Sequence, residues 1–185
     1  PPRLRRQRQM CIRDSPHIEQ LPGIEDGGFF SAEDVMARRA RLGKRVLILD
    51  EGGNWKGCGT ALKMAEEGHQ VVLITPDPLV GKELQRTAAD YPLRQKLAQL
   101  GVRFILESAI TRWTPQGAEI LSFLDGSSSF VEADSLVFAT PNLAEDTLAR
   151  ELEDSGLKFL NIGDSAGPRQ APFVISEARR VALEI

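Results

Sequence analysis

This chain of 185 residues has few cysteines, histidines and tyrosines. Its two cysteines, Cys11 and Cys58, are too few for a disulfide framework or for an iron–sulfur cluster held by four thiolates. We therefore expect Cys58 to be a packing residue. His17 and His69 have no neighbouring metal ligands in the sequence, so no metal site is predicted. The low cysteine content favours a reducing, cytoplasmic location.

The sequence also lacks long apolar runs and an excess of positive charge. No run approaches the ~20 apolar residues that a membrane-spanning helix needs. A net charge of −3 gives no reason to expect nucleic acid or an anionic membrane surface as a partner. The apolar fraction of 42% and the charged fraction of 26% are those of an ordinary globular protein. We therefore expect one domain or slightly more, with neither nucleic acid nor membrane bound.

Residues 1–15 differ in composition from the rest of the chain. They carry five arginines and almost no apolar periodicity. A basic arm for nucleic acid and an Arg-rich transit peptide are two interpretations. The run from Arg8 to Ser15 instead resembles translated read-through of a sequencing adapter. We therefore expect residues 1–15 to be non-native and disordered.

Residues 16–42 are interpreted as a connector followed by a helix. The stretch His17–Gly28 contains Pro22 and three glycines, which is typical of extended chain. Ser31 is the predicted N-cap, because its hydroxyl can accept a hydrogen bond from the backbone N–H of Asp34. Gly43 is predicted to end this helix.

A strand, a glycine-rich loop, a helix and a second strand follow in that order. They are predicted over Lys44–Leu49, Asp50–Gly59, Thr60–Glu67 and Gln70–Thr75. This order opens a dinucleotide-binding fold, in which a helix N-terminus receives a pyrophosphate. The glycines do not follow the G-x-G-x-x-G register, so the loop is only a doubtful NAD(P) site. Its candidate phosphate-binding residues are Gly52, Gly53, Gly57 and Gly59.

The following residues complete an open α/β domain over residues 43–140. A helix starting near Pro92 is predicted to lead into a strand over Val102–Leu106. Closely spaced turn signals over Ser108–Val131 then predict a three-stranded antiparallel meander. The apolar run Ser135–Thr140 is typical of a buried parallel strand. The predicted fold class is therefore α/β, a Rossmann-like open parallel sheet with an antiparallel meander.

The second stretch with candidate ligand-binding residues lies in residues 141–185. A short strand over Phe159–Asp164 is predicted to end in Gly163 and Asp164, before a helix over Phe173–Ile185. The glycine permits close approach to the backbone, and the carboxylate of Asp164 can accept hydrogen bonds from ribose or ribityl hydroxyls. A plain turn in which Asp164 caps the chain is the alternative. Arg169 is a candidate partner for a phosphate or for an acid elsewhere.

Three stretches resemble the C-terminal part of a family of flavin oxidoreductases. They are Gly43–Asp50, Glu66–Thr75 and the run Ile162–Arg169, which continues into Arg179–Ile185. The family joins a barrel similar to old yellow enzyme to a module similar to glutathione reductase. It includes trimethylamine and dimethylamine dehydrogenases and 2,4-dienoyl-CoA reductase. In this resemblance, residues 141–185 are the closing strand–helix segment of an incomplete flavin domain.

The resemblance implies cofactors and partners for a larger protein. Gly163 and Asp164 would contact FAD in the reductases, or ADP in the amine dehydrogenases. FMN, a 4Fe-4S cluster and the catalytic groups would lie in the N-terminal barrel, which together with the other half of the flavin domain is absent here. An electron-transfer flavoprotein is an implied partner. No catalytic residue is therefore expected in this chain.

The loop after the first strand favours the amine dehydrogenase branch. Asp50 and Glu51 place carboxylates where a pyrophosphate would bind, which is electrostatically unfavourable. Thr75 leaves no acid at the end of the second strand for a ribose. We therefore expect a degenerate NAD(P)-type domain. Two alternatives are an NADPH-dependent enoyl or dienoyl-CoA reductase module and a stand-alone nucleotide-binding module.

Overall fold

The computed structural model describes residues 14–16, 21–169 and 171–184, and they form two compact units. The first unit comprises Ile18–Thr140, and the second comprises Pro141–Ile185 together with the strand Asp14–Pro16. Most of the segment predicted to be non-native, residues 1–13, lies outside the described residues. The functional boundaries at residues 43–140 and 141–185 stay predictions.

The first unit is built on a parallel sheet of five strands. The strands are β2 (Phe29–Ser31), β3 (Arg45–Asp50), β4 (Gln70–Ile74), β5 (Arg103–Ile105) and β9 (Ser135–Ala139), in the spatial order β2-β9-β3-β4-β5. Three helices accompany them: α1 (Ala32–Met36), α2 (Trp55–Glu66) and α3 (Asp90–Gln99). The predicted α/β class with an open parallel sheet is confirmed.

Alternation along β3 divides the core into two layers. Val46 and Ile48 point to the side of the sheet that is covered by helices. Leu47 and Leu49 point to the opposite side, against the meander. All four side chains are buried. The sheet is thus covered on both faces, which explains why its central strands are continuously apolar.

The predicted meander is confirmed as β6 (Ser108–Thr114), β7 (Gly117–Ser122) and β8 (Ser128–Glu132). Trp113 is the largest fully buried side chain of this layer, and its indole Nε1–H donates to the backbone carbonyl of Gly27 at 2.7 Å. The meander therefore packs on one face of the sheet and also contacts the segment that precedes β2.

The segment before β3 differs from its prediction. Between the predicted connector and the predicted helix, Phe29–Ser31 form the edge strand β2, which pairs in parallel with β9 and was not predicted. Ser31 accepts from the backbone N–H of Asp34 as predicted. Helix α1, however, ends at Met36 and not at Gly43, because Arg38 has a positive φ of 58° that no helical residue adopts.

The described part of the second unit contains two α-helices, α4 (Thr147–Asp154) and α5 (Ala171–Glu184). The strand predicted over Phe159–Asp164 is wrong, since no described residue pairs with this stretch and Gly163–Ser165 form a 3-10 turn. Strand β1 (Asp14–Pro16) pairs antiparallel with β10 (Asn142–Ala144). Asp14 and Ser15, the last two residues of the segment predicted to be disordered, have strand partners here, and the prediction for residues 1–15 as a whole stays a prediction.

Candidate functional sites

The carboxyl end of β3 places Asp50 directly under helix α2. Side chains two residues apart in a strand point to the same face of the sheet. Asp50 therefore points to the helical side, as Val46 and Ile48 do. The side chain is fully buried, at 0% exposure. Its Oδ1 accepts from the backbone N–H of Gly53 at 3.0 Å, and its Oδ2 accepts from the thiol of Cys58 at 3.8 Å. A negative group thus already lies at the N-terminal end of α2.

Helix α2 begins earlier than predicted. It starts at Trp55, with the side chain of Asn54 accepting from the backbone N–H of Lys56 at 2.8 Å. The predicted loop over residues 50–59 is therefore wrong in its second half. Gly57 and Gly59 lie in the first turns of the helix, and only Gly52 and Gly53 remain in the turn between β3 and α2.

Gly57 has a steric reason to be glycine. A Cβ added there would lie 2.5 Å from Oδ1 and 2.7 Å from Cβ of Asp50, well inside van der Waals contact. The same addition at Gly59 would meet nothing within 4 Å. The missing side chain of Gly57 therefore makes room for the carboxylate of Asp50.

The loop that follows β4 covers the turn between β3 and α2. The backbone N–H of Glu83 donates to the carbonyl of Gly53 at 2.8 Å. Lys82, adjacent to it, forms an ion pair of 2.7 Å with Asp77. Gly53 is buried beneath this loop. The four predicted glycines are therefore not brought together as an open phosphate cradle, and their role as a cofactor site stays a prediction.

Burial governs the titration of the two side chains under α2. It raises the pKa of Asp50 to about 6, against hydrogen bonds from the amides of Gly53 and Gly52 and from the Cys58 thiol. Burial, with the nearby charge of Asp50, raises the pKa of Cys58 to about 12. Cys58 is thus a neutral thiol in the core, as expected of a packing residue.

The raised pKa of Asp50 predicts a dependence of stability on pH. Its ordinary pKa of 3.8 rises to about 6 in the folded chain, so the stabilisation by its proton is complete below 3.8 and lost as the pH rises through 6. When the pH falls from 7 to 5, the free energy of unfolding of the wild type should rise by about 1 kcal/mol relative to that of Asp50→Asn. Urea denaturation at the two pH values measures this difference.

Asp125→Asn is the control for that measurement. A hydrogen bond from the backbone N–H of Ser127 is the main cause that lowers the pKa of Asp125, so this exposed carboxyl does not titrate between pH 7 and pH 5. The stability difference between Asp125→Asn and the wild type should stay constant over that range. Parallel pH curves for the wild type and Asp50→Asn would contradict the account of Asp50.

The Gly163–Asp164 turn is held by helix α5. Gly163 is buried, with a positive φ of 75° that favours glycine. Its backbone N–H donates to Oε2 of Glu177 at 3.0 Å, and the same oxygen accepts from Arg169 at 2.7 Å. The hydrogen bond from Gly163, above all, holds the pKa of Glu177 below its usual range.

Asp164 carries a buried oxygen that has no donor. Its Oδ1 is inaccessible to solvent and forms no hydrogen bond with any residue that the structure describes. Buried acceptors are rarely left unpaired, because the loss of hydration is then uncompensated. The alternative in which Asp164 caps its own turn gives this oxygen no donor either. The arrangement fits a ligand or polypeptide group that supplies a hydroxyl or N–H.

Sequence reasoning missed Glu177 and its contact with Arg169. Both lie around the turn, where the guanidinium of Arg169 pairs with the carboxylate of Glu177. No local motif announces the contact, since Glu177 is 14 residues from Gly163. Within the described ranges, no group of three or more His, Cys, Asp or Glu side chains is arranged to hold a metal ion. The described helices include none with the length and apolarity to span a bilayer.

Comparison with known proteins gives relatives among flavin oxidoreductases. Cinnamate reductase of Clostridium sporogenes is 31% identical over 95% of this chain and 26% of its own length. An NADH oxidase of Thermoanaerobacter brockii is 25% identical over 95% of this chain and 27% of its own length. Dimethylamine dehydrogenase of Hyphomicrobium sp. is 24% identical over 90% of this chain and 26% of its own length. No family model matches the chain.

A solved structure shares the fold over most of the chain. The 6-hydroxypseudooxynicotine amine oxidase of Pseudomonas geniculata has a TM-score of 0.76 and 26% identity, over 83% of this chain and 24% of its own. These comparisons confirm the predicted resemblance to the C-terminal module of the flavin oxidoreductases. It spans about a quarter of the length of the curated relatives it matches.

Proposed function

We propose that this chain is the C-terminal module of a flavin-dependent oxidoreductase of the amine dehydrogenase branch. In this proposal, residues 141–185 contribute one wall of an FAD or ADP site through Gly163 and Asp164. The domain over residues 43–140 is a degenerate NAD(P)-type domain that serves structure and delivers no hydride. FMN, a 4Fe-4S cluster and the catalytic groups belong to the remainder of the complete protein, with an electron-transfer flavoprotein as its redox partner.

The observation that carries this proposal is the unpaired Oδ1 of Asp164. A ribose or ribityl hydroxyl is a donor of the right kind for a buried carboxylate oxygen. The turn that carries it is fixed by the hydrogen bond from Gly163 to Glu177, so in this proposal the Asp164 side chain turns to present the covered Oδ1 to the ligand while the backbone stays in place. A bound FAD would supply the redox chemistry, whereas a bound ADP would be structural.

Titration of the ¹⁵N-labelled chain with millimolar ADP tests the nucleotide site. We expect the amide resonances of Gly163, Asp164 and Ser165 to shift saturably in the wild type. Asp164→Ala should weaken this binding about tenfold, since it removes a charged hydrogen-bond acceptor. Asp154→Ala is the matched control, because Asp154 is an exposed carboxylate at the end of α4 in the same unit. Shifts that are absent, or equal in Asp164→Ala, would contradict the proposal.

The second candidate function is an NADPH-dependent module of the enoyl or dienoyl reductase type. The observation in its favour is that cinnamate reductase is more similar to this chain, at 31% identity, than dimethylamine dehydrogenase, at 24%. The arrangement under α2 argues against it, because Asp50 lies where the dinucleotide phosphates would bind. Saturable NADPH binding by this chain would favour the reductase or a stand-alone nucleotide-binding module.

A further inference from the structure

The buried carboxylate of Asp50 has the surroundings of a bound anion. In a dinucleotide-binding fold, the helix that follows the first strand points its free backbone N–H groups at a pyrophosphate. Here that helix is α2, and the carboxylate lies beside its first turns, where it accepts from the amide of Gly53. A glycine in such a loop lets a pyrophosphate approach the backbone closely. At Gly57 the side chain of Asp50 occupies that space.

We propose that Asp50 acts as an internal anion at the N-terminus of α2 and is the residue that excludes dinucleotide phosphates from this domain. The inference rests on the proposed function, since it names the cause of the degeneracy of the NAD(P)-type domain. Asp50 is a specificity-determining residue in this account: its carboxylate takes the amide of Gly53 and the space at Gly57 that a phosphate needs.

Three features of the site support this role. Asp50 is fully buried, so a phosphate cannot bind beside it without displacing polypeptide. Its negative charge repels any second anion at the same helix end, in surroundings where water screens charge poorly. The nearby cation Lys82 is paired with Asp77 and covers Gly53, so its charge is already balanced.

Removal of the side chain should therefore create an anion site. We expect inorganic pyrophosphate at about ten times its dissociation constant to raise the melting temperature of Asp50→Ala by about 3 °C. Asp50→Ser should respond in the same way, because its smaller side chain also leaves space. The wild type should not respond. Asp50→Asn should not respond either, since it keeps the volume and the acceptor and loses only the charge.

Asp125→Ala is the control for net charge, because it removes one exposed carboxylate from a turn of the meander without opening α2. A response of the wild type, or an equal response of Asp125→Ala, would overturn the inference. If Asp50→Ala or Asp50→Ser melts cooperatively but pyrophosphate does not raise its melting temperature, the inference is also overturned.

A measurement on the wild type keeps the inference testable if both small variants fail to fold. The amide resonances of Gly52 and Gly53 should titrate with the same midpoint as the carboxyl carbon of Asp50, and amides that do not follow Asp50 would overturn the inference. Absence of ADP binding at Gly163–Asp164 would refute the proposed function alone. The two failures are therefore distinguishable.

Discussion

Replacement of Gly57 by alanine is expected to destabilise the chain by about 3 kcal/mol or more. The new methyl group would lie 2.5 Å from Oδ1 and 2.7 Å from Cβ of Asp50. Both partners are backbone-anchored, since Asp50 is the last residue of the central strand β3 and Gly57 lies in the first turns of α2. Strand and helix must therefore separate, or the carboxylate must leave its buried position. Urea denaturation measures the effect.

Gly59→Ala is the matched control for this prediction. Gly59 lies in the same helix two residues later, and nothing lies within 4 Å of an added Cβ. This substitution should stabilise the chain by about 0.5–1 kcal/mol, because alanine favours helix over glycine. Asp50→Ala should restore only part of the stability of Gly57→Ala, because it removes Oδ1 but keeps the Cβ that lies 2.7 Å from the added methyl group. Equal effects at Gly57 and Gly59 would show that Asp50 does not lie under the helix.

Trp113→Ala is expected to destabilise the first unit by about 4 kcal/mol. The indole is 1% exposed and packs in the layer between the parallel sheet and the meander. Its loss leaves a large cavity and removes the donor for the carbonyl of Gly27, which the indole holds at 2.7 Å. The segment before β2 loses its anchor at the same time.

The second tryptophan provides the control for Trp113. Trp55 is 58% exposed at the start of α2, so Trp55→Ala should change the stability by no more than about 0.5 kcal/mol. Fluorescence during urea denaturation follows the remaining tryptophan in each variant. Comparable losses of stability in the two variants would contradict the two-layer core.

The sequence predicted the parallel strands and the meander well because their signals are local. Alternation and apolar runs along β3 and β9 specify burial on two faces, and close turn signals specify the meander. The start of α2 was predicted too late because Gly57 and Gly59 disfavour helix when considered alone. The need for glycine at position 57 comes from the buried Asp50 side chain, which local propensity does not contain.

Long-range pairing accounts for the other errors. Strand β2 is three residues long and follows two glycines, and its partner β9 is about a hundred residues later in the chain. The predicted strand over Phe159–Asp164 has no described partner to pair with, so no ladder forms. At the candidate nucleotide site, Asp164 was predicted from its position after a glycine. Glu177 was not, because only the fold brings it to Gly163.

Titration of the ¹⁵N-labelled wild type with NADPH is the most direct test of the account of Asp50. The amides of Gly52, Gly53 and Lys56 report on the turn and the first residues of α2. We predict that these resonances do not move up to millimolar NADPH at neutral pH, where Asp50 is mainly ionised. Saturable shifts at the three amides would show that the helix accepts an external phosphate, and would contradict a domain whose anion position is filled by its own carboxylate.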